Sequence, residues 1–450
     1  MSDGRSTFRR RGADDRHASA PRTSARWVLF LLSILALVTW TFVALNLARR
    51  ASGGLPLDLQ VYRDASLTML HGGAAYHSRY TFAHLNFTYP PIALMLLSVF
   101  SVVPPIVALV AWWTFSATAL IFLIVVLLQE STALPRGTLI ASSCALGGAS
   151  CLFLEPIRSN FAFGQINIFL MLLVVLDIFR VRSTRKGLLT GLASAIKLTP
   201  LMYVMYFVVA RARVSALRAV GAFLGITAMA WALLPADSAT YWLRQAFSPG
   251  RKGGPIGPMN QSWFGLIGDL FPGTNSLRTI LWLLLSGVTF VMGVTLAKRY
   301  VATERRVEAL FVLTLTELLI SPISWTHHWS WIILVPIVWL ARGRRYDKVS
   351  ATVMLLVAVA VVAPYKEHLT GWLHVRPISV VIGFSLLFSG VIVFAALVLE
   401  ERPWRTATHV GLPLGDAREL GTRRVDEDRP DRAEVPRRTK TPELPAHDAG

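Results

Sequence analysis

Two adjacent histidines, His327 and His328, stand at the head of an apolar run. Trp325 and Thr326 precede them, and Arg342, Arg344 and Arg345 close the run. Imidazoles beside a hydroxyl and an indole can move a proton, ligate a metal or hydrogen-bond a phosphate or sugar. Neighbouring residues on a helix point about 100° apart, which argues against a metal held by both rings. The spacing suits one ring facing a cavity and the other packing against a neighbour, with His327 taken as the inward one.

Other chemistry-bearing residues are spread along the chain. Asp58 sits in "LPLDLQVYRD", an apolar setting, and reads either as the N-cap of a helix beginning at Leu59 or as a general base. Tyr89 belongs to "FTYPP", a turn that seats proline at the first helical position. "EPIRSNFAFGQINIF" supplies Glu155, Arg158, Asn160, Gln165 and Asn167. Glu155 and Arg158 could pair with each other, or the guanidinium could grip a phosphate in bidentate fashion. Lys197 interrupts "GLASAIKLTP"; a lysine at membrane depth is functional unless it snorkels to the interface. Asn260, Gln261 and Ser262 offer amides and a hydroxyl beside Trp263, a combination suited to sugars. There is no HExxH, no paired CxxC and no glycine-rich phosphate loop, and neither metal nor cofactor is expected. Cys144 and Cys151, seven apart within one apolar segment, are too far apart to bridge.

The elements that must position these residues are membrane helices. Of 450 residues, 54% are hydrophobic and 16% charged, with a mean hydropathy of +0.51. Apolar runs approaching ~20 residues, enough to cross ~30 Å of hydrocarbon, recur from Trp27 to Leu399. The fold class is therefore an all-α polytopic membrane protein. The net charge of +19 comes from arginines in tails and short loops, which sets orientation. No basic stripe interleaved with aromatics suggests nucleic acid.

Residues 1–26 hold seven Arg against three Asp, which places the amino terminus in the cytoplasm. Residues 1–26 and 401–450 read as disordered cytoplasmic tails around a membrane domain at 27–400. Spans at 27–48, 106–128, 138–155, 166–180, 215–234, 277–297, 307–322, 328–341, 349–364 and 378–399 put each basic cluster inside. Residues 91–103 form a short, shallow helix. Residues 188–210, basic at both ends, form a pair of short helices broken near Lys197 and Pro200. The total is about twelve membrane helices. External segments are then 49–90, 155–166, 235–276, 320–328 and 365–377, and nearly every polar oddity falls in one of them.

"DLQVY" from Asp58, "FTYPP", "EPIRSNFAFGQIN", "GLASAIKLTP", "NQSW" and "SPISWTHHW", in this order, resemble glycosyltransferase family 87. The resemblance covers most of residues 27–400. It implies a GT-C fold with a catalytic Asp in the first external loop, and Asp58 is the matching residue. It further implies an inverting α-(1→2)-mannosyltransferase of the plasma membrane. Mannose would pass from polyprenyl-phosphate mannose to a phosphatidylinositol mannoside on the periplasmic face. Many GT-C enzymes have a pair of acidic residues here; this chain has one.

On that resemblance Asp58 is the base, already ionised at neutral pH if its pKa is the ordinary ~3.9. Arg158, Lys197 and one of His327 and His328 stabilise the leaving phosphate. Tyr89, Gln165, Asn167, Asn260, Gln261, Trp263, Trp325 and Thr326 contact substrate. The implied partners are the lipid-linked donor, a glycolipid acceptor and membrane lipids. One competing reading is a sister enzyme that branches lipomannan or lipoarabinomannan. Another is a transporter of a lipid-linked sugar, which predicts an inverted repeat that the sequence does not display. A non-enzymatic scaffold would leave Asp58 and Lys197 unexplained.

Overall fold

The computed structural model describes residues 22–51, 54–246, 257–273, 275–342 and 376–400. The expectations for residues 1–21, for the span 349–364 and for the tail 401–450 lie outside these. Among the described residues there is no strand, only isolated bridges between Tyr80 and Leu85 and between Asn260 and Trp325.

Long apolar helices form where the sequence runs on without a breaker. These are α1 (Arg22–Ala51), α4 (Pro105–Ser131), α10 (Arg213–Leu233) and α13 (Asn275–Ala302). Each is long and apolar enough to cross a bilayer. α5 (Arg136–Phe153) and α6 (Glu155–Phe163) would make a fifth crossing, bent by 81°. Pro156 lacks the amide hydrogen that would continue the α5 ladder, so the chain turns there. The expectation of about twelve crossings is not met by the described residues: four helices qualify, or five with the bent pair. Several other apolar elements are only 10–17 residues long.

Those shorter elements follow local chemistry. The shallow helix expected at 91–103 is α3 (Pro91–Leu97) followed by a 3₁₀ turn (Ser98–Phe100). The broken pair is α8 (Leu188–Ile196), an extended Lys197, a 3₁₀ turn (Thr199–Tyr203) and α9 (Val204–Val209). Pro200 has no amide hydrogen to extend α8, which is why the break falls at the lysine. The span expected at 328–341 is instead a 3₁₀ helix (Thr326–Ile333) that widens into α15 (Leu334–Arg342). The remaining helices are α2 (Leu57–Leu70), α7 (Asn167–Phe179), α11 (Pro235–Thr240), α12 (Trp263–Leu270), α14 (Arg306–Ile320), α16 (Arg376–Gly383) and α17 (Ser385–Glu400).

α4, α7, α14 and α15 build the centre, with α4 packed against the other three. Leu120, Leu123 and Ile124 of α4 are fully enclosed, as are Val174 and Ile178 of α7 and Leu310 and Leu313 of α14. α1 docks on α5, where Gly148 lets Thr39 approach; a Cβ there would lie 2.8 Å from the Thr39 Cβ. Rows of exposed apolar side chains, such as Leu31 and Leu37 on α1 and Leu284 and Val291 on α13, suit hydrocarbon rather than water.

α7 and α14 each join two different ends of the molecule. At one end Arg180 and Arg306 both pair with Glu130, and Arg306 donates to the Ile178 carbonyl. At the other end α7 begins with Asn167 and α14 approaches its end with Glu317. Thirteen helical residues at ~1.5 Å each separate the two ends of α7 by roughly 20 Å. Basic charge therefore collects at one end and the candidate site at the other.

Candidate active site

α2 starts at Leu57 with Pro56 as its N-cap, and Asp58 occupies the first turn without capping it. The carboxylate is instead held from outside the helix: Gln165 Nε2 donates to Asp58 Oδ2 at 2.6 Å. Gly164 makes this contact possible. It ends α6 in the left-handed region at φ 70°, and a Cβ there would lie 2.8 Å from Leu59 Cβ. Only glycine lets α2 approach closely enough to bring Asp58 against Gln165.

The amide of Gln165 is oriented by two phenols. Tyr62 OH and Tyr89 OH donate to Oε1 at 3.3 and 3.1 Å and lie 3.0 Å from each other. Nε2 is thereby turned toward Asp58. Tyr62 was missed in the sequence, although it lies one helical turn from Asp58 on the same face, which is a readable signal. Burial holds both phenols above their ordinary range, so they remain protonated donors.

A second network supports the histidine segment. Asn160 Nδ2 donates to the carbonyls of Pro156 and His327, at 2.6 and 2.9 Å, and to the Ser330 hydroxyl. Asn167 Nδ2 donates to Asn160 Oδ1 and to the His327 carbonyl, both at 3.2 Å. Thr326 Oγ1 donates to Glu155 Oε1 at 3.2 Å. The expected Glu155–Arg158 pair does not form. Arg158 is partly exposed, and its backbone amide donates to the Leu154 carbonyl at 2.9 Å.

Lys197 connects the two networks. Its ammonium donates to Asn167 Oδ1 at 2.7 Å, lies 3.2 Å from His328 Nε2 and sits 5.4 Å from the centre of the Tyr89 ring. An ammonium has only donors, so His328 Nε2 accepts and the ring is the neutral tautomer protonated at Nδ1. The two imidazoles meet edge to face, 4.8 Å apart, and His327 packs against Phe163. His328, rather than His327, is thus the ring beside the charge. Burial first, and then Lys197, depress His327 to about 3, so it is a neutral ring.

Asp58 is not the unperturbed acid expected. It keeps some accessible surface but lies in a protein-walled recess, and burial raises its pKa from 3.8 to about 6. The Gln165 hydrogen bond and the Lys197 charge oppose that rise. At neutral pH the carboxylate is ionised and more basic than an exposed one, which favours accepting a proton.

Asn260, Gln261 and Trp263 are used differently from what their types suggest. Asn260 and Gln261 are fully buried. Asn260 Oδ1 accepts from the Ser324 amide and the Ser262 hydroxyl at 2.7 and 2.9 Å, and its Nδ2 donates to the Pro322 carbonyl. Gln261 accepts from the Leu386 and Leu387 amides and donates to the Gly383 carbonyl. Trp263 Nε1 donates to Thr289 Oγ1. These groups are spent on the protein's own framework, which clamps Trp325 into an antiparallel bridge with Asn260. The Trp325 side chain remains partly exposed.

Four of the five segments expected outside thus meet at one end. Asp58–Gln165 joins the first to the second, and Asn160–His327 joins the second to the fourth. Asn260–Ser324 joins the third to the fourth, and Gln245 Nε2 reaches the Tyr76 carbonyl to join the third to the first.

Residues 87–322, containing Gln165, Lys197 and most of the framework, match Glycosyltransferase family 87. The chain belongs to glycosyltransferase family 87. A relative from Mycolicibacterium smegmatis is 32% identical over 74% of this chain and 80% of its own length. That protein is named polyprenol-phosphate-mannose-dependent alpha-(1-2)-phosphatidylinositol mannoside mannosyltransferase. A Mycobacterium tuberculosis relative is 33% identical over 74% of this chain and 76% of its own length; its name specifies phosphatidylinositol pentamannoside. A second M. tuberculosis relative is 31% identical over 75% of this chain and 82% of its own length. No solved structure gives a significant match. The fold of this family 87 chain, mostly helical and without a strand among the described residues, is consistent with a GT-C membrane glycosyltransferase.

Proposed function

We propose that this family 87 chain transfers mannose from polyprenyl-phosphate mannose to the 2-hydroxyl of a mannose on a phosphatidylinositol mannoside, with inversion. The observation that carries the reading is the recessed Asp58 carboxylate, fixed by Gln165, with Lys197 and His328 in the adjoining network. The names of the relatives supply the donor and the acceptor class.

In one in-line step the acceptor oxygen attacks the anomeric carbon as the bond from that carbon to the phosphate oxygen breaks. The acceptor's proton passes to Asp58, and the electron pair leaves with polyprenyl phosphate. Lys197 and Arg158 stabilise the charge on the departing phosphate, where cations in a poorly hydrated site count for more than in water. His328 orients the Lys197 ammonium, and Thr326 and Trp325 line the sugar's approach. This chemistry needs no metal, so EDTA should leave transfer intact.

The site belongs to the periplasmic face of the plasma membrane, with both termini in the cytoplasm. Its support is the separation of the Arg180–Glu130–Arg306 cluster from Lys197 and Glu317 along α7 and α14. Phe82, 88% exposed in the first outer segment, tests this. Phe82→Cys in intact cells should react with a membrane-impermeant maleimide, and protection would reverse the orientation. The activity itself is tested with radiolabelled polyprenyl-phosphate mannose, a panel of purified mannolipid acceptors and linkage analysis of the product. Near-normal transfer by purified Asp58→Ala would remove the base from the scheme.

A further inference from the structure

The third of the segments expected outside opens with α11, which runs into a π-helical turn (Tyr241–Gln245). There the Ala246 amide donates to the Tyr241 carbonyl, five residues back, at 2.8 Å. Turns of this kind are rare and recur at functional sites. This one aims Gln245 into the protein, where its Nε2 donates to the Tyr76 carbonyl at 2.9 Å. The Tyr241 ring, buried in the same turn, packs 5.6 Å from the Tyr76 ring. Tyr76 passes the contact on, because its hydroxyl donates to the Tyr89 carbonyl at 2.6 Å. Pro90 follows Tyr89 and restricts its backbone, so a hold on that carbonyl also fixes where the Tyr89 phenol points. The phenol donates to Gln165 Oε1, and Gln165 Nε2 donates to Asp58. Four hydrogen bonds therefore run from Gln245 to the carboxylate. Gln245, Tyr76, Tyr89 and Gln165 are all buried.

We infer that Gln245 and Tyr76 are positioning residues for the base: they hold Tyr89 so that its phenol aligns the Gln165 amide on Asp58. The third outer segment is thereby tied to the reacting carboxylate. The inference rests on the reading of Asp58 as the base. Both residues act through Tyr89 and Gln165, and neither has a catalytic role. Tyr62 also donates to Gln165 Oε1, at 3.3 Å, so losing the Gln245 end of the chain loosens the amide without freeing it. Lys197, Tyr62 and Tyr89 are the titratable groups that act on Asp58 or sense its charge. Asp237, Tyr80 and Tyr241 act on Tyr76. Gln245→Met and Tyr76→Phe remove none of these groups, so a change at Asp58 in either variant reports geometry.

The experiment measures the acid limb of kcat/KM in Gln245→Met, Tyr76→Phe, Gln165→Met and the double variant Gln245→Met with Gln165→Met. Gln245→Met and Tyr76→Phe should each raise the limb by roughly half a pH unit. That is an about twofold loss at pH 6 with almost none at pH 8. Once Gln165 is methionine the chain is already cut, so adding Gln245→Met should move the limb no further. A purely structural role predicts equal loss at every pH, or a further shift in the double variant, and either result overturns the inference. If Gln245→Met does not fold, Tyr76→Phe, which removes only a hydroxyl, carries the same test. A second readout needs no transfer: the gain in melting temperature from Asp58→Asn at pH 8 should be about 1 °C larger in Tyr76→Phe than in the unaltered chain. If the unaltered chain transfers no mannose, the proposed activity falls and this comparison decides the inference: a larger gain supports it and an unchanged gain overturns it. Transfer with the limb unmoved in both single variants overturns the positioning role and leaves the activity standing.

Discussion

Replacing Gln165 by methionine keeps the length of the side chain and removes the amide that holds Asp58. In the folded chain the Asp58 pKa of about 6 is a balance between burial, which raises it, and the Gln165 donor and Lys197 charge, which lower it. A hydrogen bond to a charged group contributes ~1.5 kcal/mol or more, and ~1.4 kcal/mol moves a pKa by about one. The acid limb of kcat/KM should therefore move from about 6 to about 7. The ionised fraction at pH 6 then drops from about a half to about a tenth, a roughly fivefold loss, while at pH 8 the loss is about a tenth of the activity. The assay is mannosyl transfer at saturating acceptor between pH 5 and 9, in buffers of constant ionic strength. A uniform loss at every pH, with the limb unmoved, would show that Gln165 only shapes the recess. A limb moved downward would refute the electrostatic account outright.

Other outcomes follow from the same geometry. Asp58→Asn should lower turnover by on the order of 10²–10⁴-fold without loss of membrane insertion. The same variant should be more heat-stable at pH 8. A carboxylate whose folded pKa is raised from 3.8 to about 6 favours the folded state when protonated, so its ionisation costs stability as pH rises through that window. The gain should be about 1–3 kcal/mol at pH 8 and vanish below pH ~4, as read by melting at both values. Gly164→Ala, facing Leu59 and Pro56 at a positive φ, should lower stability by roughly 2–4 kcal/mol and weaken transfer, measured by melting and kcat/KM. Asn260→Ala and Gln261→Ala should each cost about 1–3 kcal/mol of stability with donor KM nearly unchanged; a large KM change without destabilisation would restore them as sugar contacts.

The sequence by itself determined the membrane class, because apolar run length and the placement of arginines are one-dimensional properties. It also located the break at Lys197, since Pro200 ends a helix ladder whatever surrounds it. The likeness to family 87 was legible in short motifs, and Asp58, Gln165, Asn167, Lys197 and the His327–His328 pair stand close together in the fold. Side-chain allegiance was not legible. Asn260 and Gln261 are good sugar ligands by type, but whether an amide faces substrate or backbone depends on residues more than sixty positions away. The role of Gly164 was equally hidden, because a motif records a glycine but not the helix that presses against it. Tertiary structure also chose which histidine meets Lys197 and moved the Asp58 pKa. Those outcomes depend on distance and burial, and only the packed chain fixes them.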